Sequence, residues 1–221
     1  MGYRLDFGAL LQYLSLFLQG TAVTVGLTAV AATIGVALSI GGAAASGWRG
    51  WARRLVGAYV ELIRNTPFIV QMFFVFFGLP SLGIRLSAIG AAVLAMTINL
   101  TAYAIEIVRA GIEAVPPGQR ESGMALGLRP WLVFGLIVLP QALANVYPAL
   151  VGQIIITMLE SAVVSQIAVV DLTHVADFIQ SRNFRAFETY LVVTVIYLLL
   201  TLLLRRFLDR VGRRLFAGRM P

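Results

Sequence analysis

The chain has 221 residues, 59% of them hydrophobic and only 12% charged, with a mean hydropathy of +0.89; soluble domains carry about a quarter charged residues, so a soluble fold is excluded and an integral membrane protein is the default. The net charge of +7 comes from 17 basic residues, all arginine, which sit between apolar runs rather than along one face; that argues against nucleic acid and for a positive-inside bias. No lysine is present for a Schiff base or a P-loop, no cysteine for a disulfide or thiolate, and the single His174 rules out a multi-histidine metal site.

In chain order, residues 7–17 read as a short apolar helix at the membrane interface, making 1–19 an N-terminal interfacial segment. The first apolar run lacks a basic leader and continues past signal-peptide length, so a cleavable signal is not expected. The first span covers about residues 21–45. Its Gly35, Ser39 and Gly42 offer small surfaces for close helix packing, a subunit interface included. The second span covers about 56–79. Its fully apolar part, 68–79, is too short to cross alone and must extend back through Glu61, Arg64 and Pro67. Glu61 and Arg64, three apart, are placed to pair on one face, and Pro67 should bend the helix. The phenylalanine-rich run 73–77 reads as lipid-facing packing.

The third span, about 87–108, closes with Glu106 and Arg109. A polar loop follows, broken by Pro116-Pro117-Gly118, and Pro130 opens the next helical piece. Residues 131–139 are apolar but stop at Pro140, so they are expected to pack against other helices without spanning. The fourth span follows Pro148, from about 149 to 168. Residues 171–188 look polar and irregular, with His174 a surface or packing residue. The fifth span covers about 189–204, and 205–221 form a basic tail. The expected fold is therefore all-α, with about five transmembrane helices and a permease domain over 20–204.

An odd number of spans puts the termini on opposite sides. With the N-terminus outside, the inner side receives Arg49, Arg53, Arg54, Arg120, Arg129 and the tail arginines 205, 206, 210, 213, 214 and 219. The outer side receives only Arg4, Arg85, Arg182 and Arg185, among Asp6, Asp171, Asp177 and Glu188. The asymmetry places the polar loop in the cytoplasm.

That loop, about 111–140, carries Gly118-Gln119-Arg120, then Glu121-Ser122-Gly123, Gly127 four residues on, and Ile137, Leu139 and Pro140. The spacing resembles the EAA loop of bacterial ABC-importer permeases, with Ser122 and Gly123 in place of two alanines. Further segments resemble permeases of the polar amino-acid uptake family: Tyr59-Val-Glu61-Leu-Ile-Arg64-Asn65-Thr66-Pro67, Ala102-Tyr103-Ala-Ile-Glu106-Ile-Val-Arg109-Ala-Gly111-Ile112, Gly118-Gln119-x-Glu121, and Leu139-Pro140-Gln141-Ala142. Together they cover about half the chain.

The resemblance implies a type I ABC-importer permease of MetI-like architecture in the bacterial inner membrane. It implies two such chains, identical or paralogous, two cytoplasmic ATPase subunits carrying ATP and magnesium, and an extracytoplasmic substrate-binding protein. It also implies an ATPase-coupling site at Gly118, Gln119, Glu121, Ser122, Gly123 and Gly127. Physically, Gly127 at a helix C-terminus permits the left-handed turn that lets the chain double back. The chain itself would be no enzyme and hold no cofactor or metal, with lipid and protein as its partners.

The fourth span departs from the family. Aligned on Asp171-Leu172, residues 159–163 stand where the family often has K-D-T-S-L, so Leu159 replaces a lysine that can pair with a substrate carboxylate. The acidic position persists as Glu160. A carboxylate at membrane depth is expensive, and it points to a cavity or a partner; it suits an amino or cationic group of an amino acid. Asn99, Gln153, Gln71 and Ser161 are the other polar candidates for lining a pathway, against the bland role of bonding between helices. Gln153 and Glu160 lie two turns apart on one face. The rival reading is a self-contained secondary carrier or channel for a small polar solute, which usually shows paired repeats. Which amino acid is carried, whether the second permease is the same chain, and what replaces the lysine stay open at this level.

Overall fold

The computed structural model describes residues 5–46 and 50–217; Arg4, Arg49 and Arg219, used in the orientation argument, lie outside them. The described residues are helical with no strand, in the order α1 (Leu14–Ser46), α2 (Trp51–Arg64), α3 (Phe68–Phe73), α4 (Leu79–Ser81), α5 (Ala88–Glu113), α6 (Pro117–Ala125), α7 (Pro130–Val133), α8 (Leu139–Glu160), α9 (Leu172–Asn183) and α10 (Ala186–Leu215). Among the described residues, four stretches are long and apolar enough to cross a membrane: Gly8–Ala45, Ala88–Glu113, Pro130–Ile167 and Ala186–Leu215. The fifth candidate is the pair Trp51–Arg64 and Phe68–Ser81. Pro67 does more than bend this pair. It is extended and ends the helix outright, because a proline disfavours helical backbone in the residue before it.

Three expectations are corrected here. Residues 7–17 do not form a separate helix; a 3-10 turn, Gly8–Tyr13, feeds directly into α1. The expected stop at Pro140 is absent, since Pro130 to Ile167 runs as one helical stretch with both Pro140 and Pro148 inside it. The reason is a π segment, Phe134–Val138, just before Leu139-Pro140. Proline lacks an N–H and crowds the carbonyl four residues back, and a wider π turn there absorbs the misfit. The same device, Phe74–Gly78, precedes Leu79-Pro80. Third, residues 171–188 are not irregular: they hold α9 and the start of α10.

The described chain divides into two compact units. One comprises Met1–Thr33, Thr66–Thr97 and Ile155–Leu204. Its core joins Leu10 and Phe17 to Leu172, Val175, Ala176 and Ile179 of α9 and to Val193 of α10. Gly20 lets α1 approach the backbone at Asp171 and Leu172, where an added Cβ would sit 2.9 Å from each. Asp171 caps α9, its carboxylate accepting from the backbone N–H of His174 (2.9 Å) and Thr173 (3.2 Å). Burial pushes the Asp171 carboxyl above its ordinary range, against the lowering effect of those two bonds. Further along, Tyr190 of α10 donates to Asp177 of α9. Glu188 at the start of α10 is not loose surface charge: it is fully buried, accepting from the Asp6 N–H (3.1 Å) and from Arg185 (3.0 Å).

The other unit comprises Ile34–Asn65, Ile98–Ile154 and Arg205–Pro221. Here the small-residue stripe of α1 is used within the chain. Cβ atoms on Gly35 and Gly42 would meet Leu100 at 3.1 Å and Ile105 at 2.5 Å, and Ser39 is fully buried. Those residues therefore pack against α5. Gly111 lets α5 approach α8 closely, its missing Cβ lying 2.7 Å from the Ala142 carbonyl oxygen. The basic tail is helical as far as Leu215 and docked: the Tyr147 hydroxyl donates to the Leu208 carbonyl (2.7 Å), and its ring lies edge-on to Phe216.

Candidate functional site

The polar loop folds as a short, well-bounded helix, α6. Pro116 is extended, and Pro117 opens α6 at the position where a missing N–H costs nothing. The other end is a Schellman closure: Leu128 N–H donates to the Gly123 carbonyl (3.2 Å) and Gly127 N–H to that of Met124 (2.9 Å), with Gly127 at φ 78°. Gly123 is the one buried residue of α6, and a Cβ there would lie 2.7 Å from Ile137 Cδ1 and 3.0 Å from Val133. Small size at this position seats the helix on the cluster Val115, Val133, Val138 and Ala142. Gly118, Gln119, Arg120, Glu121 and Ser122 all remain exposed, as do Met124 and, at 80%, Leu126. A cleft of about 470 Å³ runs beside α6, bordered by Arg53, Arg109, Glu113, Arg120, Glu121 and Met124. Gln141 of α8 reaches the Gln119 side chain at 3.4 Å.

The two longest motif segments meet in space. The Tyr59 hydroxyl donates to the Ile98 carbonyl at 2.6 Å, tying α2 to α5. Arg64 does not depend on Glu61; it pairs across to Glu106 at 3.1 Å, and Arg109 reaches the same carboxylate at 3.2 Å. The Arg64 guanidinium stands 5.4 Å over the Tyr103 ring. Sequence reading paired Arg64 with Glu61, three residues away, which does not hold, whereas Glu106 and Arg109, also three apart, do pair; what it missed is the contact from Arg64 to Glu106. The contact joins positions 42 apart, for which local spacing gives no signal.

The membrane-depth polar residues fall in different settings. Asn99 and Gln153 are buried. Glu160 is the last residue of α8, half-buried, where the helix tightens into the 3-10 turn Ser161–Ile167. Ser161 is fully buried and its hydroxyl donates to the Met158 carbonyl (2.7 Å). Gln71 donates to the carbonyl and hydroxyl oxygens of Thr66, both at 2.9 Å. Leu159, which stands where the family this chain resembles often has a lysine, is 45% exposed. Among the described residues no three histidines or carboxylates cluster as metal ligands.

Comparison with known proteins bears on this arrangement. Residues 35–217 match the family model described as binding-protein-dependent transport system inner membrane component. The chain is 33% identical over 215 residues to the glutamine transport system permease protein GlnP of Escherichia coli strain K12, covering 96% of this chain and 98% of that one. It is 34% identical, with the same coverage, to the arginine transport system permease protein ArtQ of Bacillus subtilis strain 168. Among solved structures, an amino acid ABC transporter crystallised with histidines superposes with a TM-score of 0.86 at 38% identity, over 96% of this chain and all of that chain. The inward-facing MetNI methionine ABC transporter, at 20% identity and a TM-score of 0.78, shares the fold.

Proposed function

This chain belongs to the family of binding-protein-dependent transport system inner membrane components, and from that premise we propose that it carries an amino acid inward, driven by a separate ATPase that grips α6. It is a multi-pass inner-membrane permease subunit of an amino-acid ABC transporter, not itself an enzyme, and its family works with ATPase and substrate-binding partners. That membership displaces the carrier reading. The amino-acid class is supported by relatives named for glutamine and arginine.

In this reading the N-terminus faces out and the C-terminus in, two permease chains associate, and the loop over 111–140 meets the ATPase. The observation that carries the coupling role is the build of α6. It opens on Pro117, closes on Gly127, is seated by the buried Gly123, and leaves Gln119, Glu121, Ser122, Met124 and Leu126 exposed. A short helix fixed in this way moves as one piece with the helices behind it. ATP binding would draw the two ATPase subunits and their α6 partners together, opening the path outward; hydrolysis would release the solute inward. Asn99, Gln153, Glu160, Ser161 and Gln71 are the proposed contacts along the path.

The test is co-purification. The wild-type permease should retain its ATPase through affinity capture in detergent. Glu121→Arg should lose it while the permease itself elutes at its normal size. Full ATPase retention by that variant would remove α6 from the contact.

A further inference from the structure

One face of α5 carries Asn99, Tyr103, Glu106 and Glu113, at i, i+4, i+7 and i+14. Asn99 is buried within the fold, while Tyr103 and Glu106 border an open cleft; an ionisable residue on a membrane-spanning helix points to a cavity or a partner. At its middle this face of α5 meets the end of α2, and a single carboxylate, Glu106, is shared by two guanidiniums, Arg64 at 3.1 Å and Arg109 at 3.2 Å. Glu113 is a distant second partner of Arg109, at 3.9 Å. The side chains of Arg64, Glu106 and Arg109 keep 42%, 29% and 44% of their surface exposed. With Asn65, Glu61 and Tyr103 they border an open cleft of about 420 Å³.

Each guanidinium presents five N–H donors in a plane suited to carboxylates, so two of them offer more than Glu106 can accept. We infer that Arg64, Glu106 and Arg109 form a carboxylate station on the inward route, where Glu106 occupies both guanidiniums until the carboxylate of an amino acid displaces it. This rests on the amino-acid importer reading, and it names a group that takes over from the lysine absent at Leu159. Exchanging one carboxylate for another keeps both guanidiniums paired throughout and is nearly balanced. Balanced exchange suits transport, since a transit site must release what it binds.

The test uses the permease–ATPase complex in nanodiscs, without the binding protein, and reads solute binding by saturation-transfer NMR. The probes are L-glutamine and L-arginine, beside their carboxyl-free counterparts 4-aminobutanamide and agmatine. Glu106→Gln removes the resident competitor and should tighten amino-acid binding about tenfold, whereas Arg109→Gln or Arg64→Gln should weaken it about tenfold. Neither change should alter binding of the amines. A merely structural ion pair would instead make all three variants weaken both kinds of probe alike, and that result overturns the inference. Unchanged or weaker amino-acid binding by a stably folded Glu106→Gln also overturns it. Should Glu106→Gln not fold, the amino-acid-against-amine comparison in Arg109→Gln decides alone. Uptake by the wild-type importer with its binding protein, across a wider amino-acid panel, separates the two levels. Uptake without the discrimination defeats only the station; no uptake of any amino acid defeats the importer reading and the station with it.

Discussion

At the scale of single residues, the glycines divide by what a methyl group would meet. At Gly111 it would meet a backbone oxygen, that of Ala142, at 2.7 Å, and Val146 at 2.8 Å. Gly111→Ala should therefore cost about 1–3 kcal/mol of stability, as overpacking against an unyielding wall does, read as a lowered thermal midpoint in detergent. Gly41 has open space around it on α1, so Gly41→Ala should leave the midpoint unchanged or raise it. Gly123 lies between these cases: its nearest neighbour is the tip of Ile137, which can rotate away. The buried Val133 at 3.0 Å yields less easily, so alanine there should cost less than at Gly111 but more than at Gly41. If Glu160 lines the proposed solute path, Glu160→Gln should abolish uptake of cationic amino acids by the reconstituted importer while leaving its ATPase assembly intact; undiminished uptake would take Glu160 off the path.

At the scale of elements, the sequence made the helices legible and several of their joints illegible. Long apolar runs located α1, α5 and α10, because at membrane depth only a helix satisfies the backbone internally. The left-handed turn at Gly127 was legible too, since glycine takes φ 78° without penalty. Pro140 misled because a proline is a stop only if the preceding turn stays α-helical; the π segment Phe134–Val138 has no signature in hydropathy. Pro140→Ala should thus be tolerated with no loss of thermal midpoint, and a fall of several degrees would show that the proline itself holds the stretch. α9 was missed because its polar composition hid a capped, half-buried helix, although Asp171 before Leu172-Thr173-His174 is an N-cap signal. Asp171→Ala should cost about 1–2 kcal/mol and Asp171→Asn, which keeps an acceptor oxygen, distinctly less; equal losses would assign the effect to charge rather than capping. The Arg64–Glu106 pair was invisible for a different reason, that it joins two helices.

At the scale of the whole molecule, the proposal is a passive permease with most of its arginines on the cytoplasmic side and its energy drawn from elsewhere. Because the chain has no cysteine, orientation is open to direct labelling. Arg85→Cys, in the exposed segment before α5, should react with a membrane-impermeant maleimide in spheroplasts. Ser122→Cys on α6 should react only after permeabilisation, and the opposite pattern would invert the topology. The central measurement is ATPase activity of the chain reconstituted in liposomes with its ATPase and binding protein, across a panel of amino acids. The expected result is stimulation by one amino acid or a small related group, lost in Glu121→Arg. Hydrolysis indifferent to every amino acid, or stimulation that survives Glu121→Arg unchanged, would contradict coupling through α6.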